Sequence, residues 1–437
     1  MRSLRSEILP SACPLDCPDA CSLEVTVTDG KVEKLEGTHL NPVTAGFICS
    51  KVRRFSRHLY GEERLLHPAV RRGAKGSGEF EPIAWDDALD LIHQRFTDIH
   101  QRWGGEAILP LSYGGSNGFL TQDTTDARFF RRLGASRLAR TVCAAATTAA
   151  ATGLYGKMPG VAFEDYAEAQ LIVVWGANPS VSGIHLVPII QQAQSRGAKL
   201  VVVDPRRTPL AKKADLHLAV RPGTDLPVAL SLIRWLFDTG RADKDFLAAY
   251  ATGADELRRR ADSWTLERAA EVAGLAADDI ETLGRWYAET DPAVIRCGWG
   301  PERNRNGCSA IAAILALPTV AGKFGCRGAG YTLSNGSAWP IDSEPLAGEA
   351  EPATRLININ QVGTALTTGE PKVQGLFVFN ANPLVTLPEQ EKVRTGLARE
   401  DLFTVVFEQV MTDTAKYADL LLPATTFLEH RELKTGY

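Results

Sequence analysis

Several short motifs of this chain, spread over some forty positions, occur twice at one fixed spacing, and nothing else in the sequence limits its fold as tightly. Leu171-Ile172-Val173-Val174-Trp175-Gly176-Ala177-Asn178-Pro179 returns as Leu376-Phe377-Val378-Phe379-Asn380-Ala381-Asn382-Pro383, with the two Ala-Asn-Pro triplets 204 positions apart. Val201-Val202-Val203-Asp204 and Thr208 return as Val405-Val406-Phe407-Glu408 and Thr412, and Ala211-Lys212-Lys213-Ala214-Asp215-Leu216 as Ala415-Lys416-Tyr417-Ala418-Asp419-Leu420, again 204 apart. A constant offset over that distance means two copies of one α/β unit. In each copy a short apolar strand ends in a turn, a helical stretch follows, and a second apolar strand (Lys199 to Val203, or Phe403 to Phe407) ends in an acid. Near-continuous apolar strands belong to parallel sheets buried on both faces. Ligands of such sheets bind beyond the strand carboxyl ends. Asn178, Pro179, Asp204 and Arg206 fall there in one copy, and Asn382, Pro383 and Glu408 in the other. Each also has a plain structural reading, because Asn-Pro opens turns and a strand-end acid caps the next helix. Keeping the same polar set in both copies favours two similar ligands. No Gly-x-Gly-x-x-Gly follows a strand, so an ordinary NAD fold is not expected.

At 437 residues the chain exceeds what one hydrophobic core usually organises, so two or more domains are expected. Its formal net charge is −4 and it has no long basic run, so nucleic acid is not expected as a partner. No apolar run approaches the ~18 residues that span a bilayer, so membrane association would come only through a partner subunit. Arg2 and Arg5 form no adjacent pair and no apolar stretch follows them, so no export signal is read and a cytoplasmic location is expected.

The eight cysteines are too sparse for a disulfide scaffold, but four of them lie in the first fifty residues. Cys13, Cys17 and Cys21 recur every four residues, and Cys49 follows two strand-like segments (Leu23 to Val27, Val32 to Leu35) joined by an Asp29-Gly30 turn. Prolines and aspartates between the first three cysteines disfavour a regular helix, so the loop can wrap its sulfurs around a compact object. Four thiolates suit an iron-sulfur cluster and also a structural zinc, and spacing alone leaves both open.

This arrangement resembles the molybdopterin oxidoreductase family, which includes formate dehydrogenases, periplasmic nitrate reductases and dimethyl sulfoxide reductases. The resemblance covers essentially the whole chain. It rests on the cysteine set closing in Cys49-Ser50-Lys51, on Trp175-Gly176-Ala177-Asn178-Pro179, on Val203-Asp204-Pro205-Arg206-Arg207-Thr208, on Arg221-Pro222-Gly223-Thr224-Asp225 and on Ala418-Asp419-Leu420-Leu421-Leu422-Pro423-Ala424. It implies a [4Fe-4S] cluster on Cys13, Cys17, Cys21 and Cys49, with Lys51 between that cluster and one pterin. It implies a bis-molybdopterin guanine dinucleotide carrying molybdenum or tungsten. Trp175, Gly176, Asn178, Pro179, Asp204, Arg206, Thr208, Gly223, Asp225, Asn380, Asn382 and Pro383 would line the nucleotide sites. Cys143, in an Ala- and Thr-rich segment whose small side chains admit a close ligand, would bind the metal; from composition alone it reads as a buried free cysteine. The Gly-rich segments Gly298 to Gly307 and Gly322 to Gly330 read as further loops around the cofactor or as plain turns. Cys297, Cys308 and Cys326 are expected to be structural.

The expected fold is α/β: a small N-terminal iron-sulfur domain at residues 1–60, an α/β domain at 61–138 and 341–437, and an inserted α/β domain at 139–340. Helices are expected over Trp85 to Trp103 and Leu226 to Asp238. The expected activity is an oxidoreductase that passes electrons between a small-molecule substrate at the metal centre and the cluster, and on to a redox partner protein or electron-transfer subunit. The alternatives are a non-catalytic electron-transfer or structural subunit of the same fold, as in complex I, a truncated inactive fragment, and a hydratase on the same cofactor. Formate is disfavoured, because Ala144 rather than histidine follows Cys143 and the loop Tyr331 to Gly336 has no arginine. Family members continue beyond the segment matching Phe427 to His430 into a barrel-like domain that this sequence does not include.

Overall fold

The computed structural model describes residues 5–114, 118–339, 341–342, 344–348, 350 and 352–433. Arg2, weighed above for an export signal, lies outside them. Period-two burial explains the first sheet. Leu171, Val173, Trp175, Val201 and Val203 enter one core, while Ile172, Val174, Leu200 and Val202 enter another on the opposite face. The sheet is parallel throughout, in the order Leu216–Leu218, Lys199–Val203, Leu171–Trp175, Ala293–Cys297, Gly330–Thr332. Helices Asp225–Asp238, Ala277–Glu289 and Gly307–Val320 cover one face, and Leu186–Ser195 the other. Each fully buried Val, Leu or Ile contributes roughly 1.5–3 kcal/mol, so both faces of the sheet must be covered.

The second sheet has the order Phe80–Pro82, Ala69–Arg71, Leu420–Pro423, Phe403–Glu408, Gly375–Phe379, Ile108–Ser112. Its last four strands are parallel and the first two pair antiparallel at the edge. Helix Trp85–Trp103 buries Ala88, Ile92, Phe96 and Ile99 beside it, an i, i+4, i+8 stripe that continues to i+11.

The two sheets repeat each other in register as well as in sequence. Leu171 pairs with Lys199 as Gly375 pairs with Phe403, and Leu216 pairs with Val201 as Leu420 pairs with Val405. Side-chain bonds repeat too. Asp215 Oδ2 accepts from the Leu200 amide at 2.7 Å, and Asp419 Oδ2 from the Thr404 amide at 2.8 Å. Thr208 Oγ1 accepts from the Ala211 amide and Thr412 Oγ1 from the Ala415 amide, both at 3.1 Å.

Near the N-terminus, Ser6–Ala12, Ser22–Thr28 and Lys31–Gly37 form an antiparallel sheet. Leu23, Val25 and Leu35 point into a small core with Ile48, Val52 and Phe427. The chain divides into two units: one comprises Met1–Asp16, Ala20–Val142 and Ile341–Thr435, the other Cys17–Asp19 and Cys143–Pro340. Among the described residues no helix is long and apolar enough to cross a membrane.

Candidate functional site

The strand ends of the second unit carry the most elaborate geometry. Trp175 is fully buried and its Nε1 donates to Asp225 Oδ1 at 2.8 Å, tying the end of its strand to the start of helix Asp225–Asp238. Burial pushes the Asp225 carboxyl above its ordinary range, against the Trp175 bond. Gly176 then turns the chain with φ +61, and a Cβ there would come within 2.3 Å of Pro301 Cδ. The Gly298 amide donates to Trp175 O and the Gly300 amide to Gly176 O, so three glycines hold backbone against backbone at the sheet edge. A Cβ on Gly298 would lie 2.3 Å from Gly176 O, and one on Gly300 2.8 Å from it. No side chain larger than hydrogen fits, and the Gly176 amide in turn donates to Val203 O at 2.8 Å.

Asn178 follows, and its Oδ1 is buried without a hydrogen-bond partner. Such an orphaned acceptor costs about 1–3 kcal/mol unless a ligand donates to it. Pro179 is buried behind it. Asp204 Oδ1 accepts from the Arg206 amide at 2.7 Å, which leaves the Arg206 side chain exposed. Thr208 Oγ1 accepts from the Ala211 amide at 3.1 Å, at the entry to the short 3₁₀ turn Ala211–Lys213, an internal structural bond. Gly223, at φ +86, presents its carbonyl to Asn306 Nδ2 at 3.0 Å.

In the other copy Asn380 takes the place of Gly176 and the same left-handed turn, φ +51. Asn382 differs from Asn178, because its Oδ1 accepts from Thr414 Oγ1 at 2.6 Å. Pro383 starts a one-turn helix, and Glu408 Oε1 accepts from the Gln409 amide at 2.7 Å. Burial raises the Glu408 carboxyl.

Cys143 is half-buried two residues before helix Ala145–Tyr155. Its carbonyl accepts from Arg303 Nη1 at 3.1 Å. Glu302 meanwhile accepts from the Thr147 amide at 3.2 Å and from the Thr147 hydroxyl. Burial raises the Glu302 carboxyl against those bonds and against Arg303. The Pro301–Arg303 turn that closes against Gly176 therefore also pins the backbone on both sides of Cys143's helix entry. Sequence reasoning singled out the surrounding Gly-rich loop but not Glu302 or Arg303, since their partners lie some 160 residues away.

Cys13, Cys21 and Cys49 share the small N-terminal core, and the Cys13 amide donates to Cys21 O at 2.8 Å, closing the loop between them. Cys17 belongs with the second unit. There Asp19 Oδ2 and His185 Nδ1, both buried, lie 2.7 Å apart, a pair with no forewarning in the spacing. Among the described residues no three His, Cys, Asp or Glu side chains are gathered into a metal-holding group. Lys51 is exposed in the short helix Ser50–Arg53 that Cys49 precedes. Cys297 is buried, and Cys308 and Cys326 are exposed. An apolar cavity of about 1140 Å³ among the helices of the second unit, lined by Tyr155, Leu230, Phe246 and Phe324 among others, takes Phe324 and Gly325 from the Gly-rich segment Gly322 to Gly330 but none of the individual site residues named from the sequence.

Residues 64–436 match the model of the molybdopterin oxidoreductase family, and residues 7–61 that of the molybdopterin oxidoreductase Fe4S4 domain. The chain is 38% identical to the probable oxidoreductase YoaE of Bacillus subtilis (strain 168), covering 100% of this chain and 65% of that protein. It is 31% identical to the probable oxidoreductase YyaE of the same organism, covering 98% and 64%. It thus spans just under two thirds of the length of these relatives. Among solved structures, acetylene hydratase from Pelobacter acetylenicus superposes with a TM-score of 0.83 at 24% identity, over 98% of this chain and 64% of that one, which shows a shared fold.

Proposed function

The chain belongs to the molybdopterin oxidoreductase family, and on that premise we propose that it exchanges electrons between a small-molecule substrate at a molybdenum- or tungsten-pterin centre and a [4Fe-4S] cluster. The observation that carries the nucleotide half of this reading is the buried, unpartnered Asn178 Oδ1 beside the Gly176, Gly298 and Gly300 cradle. A planar base or ribose with its own N–H or O–H groups would satisfy that oxygen, and the glycine backbone, free of side chains, would let it approach closely. The residues present fit a guanine dinucleotide. Arg206 offers an exposed cation for phosphate. The Asp204 and Asp225 carboxylates each have one oxygen engaged within the protein, so the other oxygen is what a ligand would meet.

When bound, a metal held by dithiolenes supplies two-electron redox chemistry. The protein's own contribution is positional. Cys143 offers a soft thiolate from a backbone fixed by Arg303 and Glu302. The small residues of Ala145–Tyr155 leave room for the ligand's approach. Cys13, Cys21 and Cys49 stand in apolar surroundings, and by sequence spacing they and Cys17 are the four thiols we assign to the cluster. Lys51, two residues beyond Cys49, supplies a cation on the route between cluster and pterin.

The test is anaerobic purification from a molybdate-competent host, with molybdenum, tungsten, iron and zinc measured per chain for the wild type and for Cys143→Ser. Molybdenum or tungsten with about four irons is expected, with an altered metal spectrum in the variant. Iron alone would overturn the pterin half of the reading, and zinc alone all of it.

A further inference from the structure

The segment that follows Cys49 carries charge that the fold leaves uncompensated. No acid occurs between Glu36 and Glu62, and within that interval Lys51, Arg53, Arg54 and Arg57 are all exposed. Other cations of the same unit do find partners: Arg64 bonds Glu429 at 3.0 Å, and Arg71 lies 2.8 Å from Glu400 and 2.9 Å from Asp419. None of the four makes an ion pair with a described residue. The chain as a whole is acidic, with a net charge of −4, so this is a local device and not a generally basic surface.

The patch is held rigidly. Val52 and Leu59 are buried beneath it, Phe55 packs on Phe427 with ring centroids 4.7 Å apart, and His58 Nε2 lies 2.8 Å from Gln409 Oε1. The inner face thus fixes the two short helices Ser50–Arg53 and Ser56–Leu59 while the cations face solvent. The patch is also close to a thiol assigned to the cluster, since the Arg53 amide donates to Cys49 O at 3.1 Å. Arg57 lies eight residues beyond Cys49, on the second of the two short helices.

Like charges crowded within a screening length of about 8–10 Å repel one another, and the cheapest relief is an anionic partner. We infer that this face docks a small acidic one-electron carrier of the ferredoxin type, and that Arg53, Arg54 and Arg57 steer and hold it over the cluster. This rests on the reading of Cys49 as a cluster ligand. In the reductive direction, each encounter oxidises the carrier by one electron and reduces the chain's cluster by one. No bond or proton is exchanged, and two encounters supply the electron pair a substrate conversion needs. Electrostatic docking of this kind sets association rate and specificity, and weakens as salt rises.

The experiment uses the anaerobically purified chain and an acidic plant-type [2Fe-2S] ferredoxin as the probe, with binding followed by calorimetry between about 50 and about 300 mM salt. The variants are R53E/R54E/R57E together, and R259E/R260E, which reverses exposed arginines in the other unit, as the control. Iron content and the cluster's optical spectrum are recorded for each. The triple variant is expected to weaken binding about tenfold or more, with a smaller salt dependence, while the control binds as the wild type does. Unchanged binding by the triple variant with its cluster intact overturns the docking site alone. Equally tight binding of the same face to anionic phospholipid vesicles overturns the choice of partner. A wild type without iron overturns the cluster reading, and the electron route with it, whatever the binding result.

Discussion

Asn178 and Asn382 occupy the same step of the repeat, yet their side-chain oxygens have different fates. Asn382 Oδ1 is taken by Thr414, whereas the residue at that step in the first copy is Leu210, which offers no donor, and Asn178 Oδ1 stays buried and unpaired. A donor placed 32 residues away separates an internal structural bond from a vacancy for a ligand, and no local motif reports it. The same logic makes Asp225 testable. Its carboxyl is raised by burial, with the Trp175 bond opposing. A raised acid binds its proton more tightly folded than unfolded. The stability linked to that proton is therefore fully present below the unfolded value of about 3.9 and is lost as pH rises through the folded value. Asp225→Asn is always neutral and can still accept from Trp175 Nε1. Urea denaturation of the cofactor-free chain should find the variant gaining stability relative to wild type between about pH 4 and 7. A constant difference across that range would mean that burial is not what governs Asp225.

At the scale of the element, the sequence was most informative where apolar runs were long enough to be buried on both sides. Leu171–Trp175, Lys199–Val203 and Phe403–Glu408 form where their composition placed them, and the repeat offset survives in strand register and in the Asp215 and Asp419 bonds. Strands of three residues, such as Ala69–Arg71 and Phe80–Pro82, were not legible, because three positions carry no period. Ser6–Ala12, exposed along its length and containing Pro10, gave no apolar alternation either, as suits an edge strand. The copies also diverge in how they anchor their shared aspartate. Asp419 lies 2.9 Å from both Arg71 and Lys75, and the Lys75 side chain is only 1% exposed. Asp215 is given no such cations. Removing the charge at 419 leaves the buried Lys75 ammonium without its carboxylate, which costs about 3–5 kcal/mol, while Arg71 keeps Glu400; removing it at 215 weakens one bond worth about 1 kcal/mol. Asp419→Asn should accordingly destabilise the chain several times more than Asp215→Asn in paired denaturation curves. Equal losses would show that the ion pairs at 419 contribute nothing.

For the molecule as a whole, stability is unevenly distributed, and the proposed cluster falls on its weakest part. The five-stranded parallel sheet has helices on both faces and two continuous cores. The N-terminal sheet has three strands, one of them exposed over nearly its whole length. Its core of eight buried residues includes two of the cysteines themselves and borrows Phe427 from far along the chain. Three strands over so small a core are marginal alone, so a cluster that binds only the folded form would contribute much of that region's stability. Oxidative stripping of iron followed by hydrogen exchange tests this directly. Amides within residues 7–61 should lose protection by about tenfold or more, while those of Leu171–Trp175 and Lys199–Val203 stay protected. The contrast between the regions matters more than either value, since a general loosening would affect both sheets. If the N-terminal amides keep their protection without iron, its small core is self-sufficient, and Cys13 and Cys21 are buried there for packing rather than for a cluster.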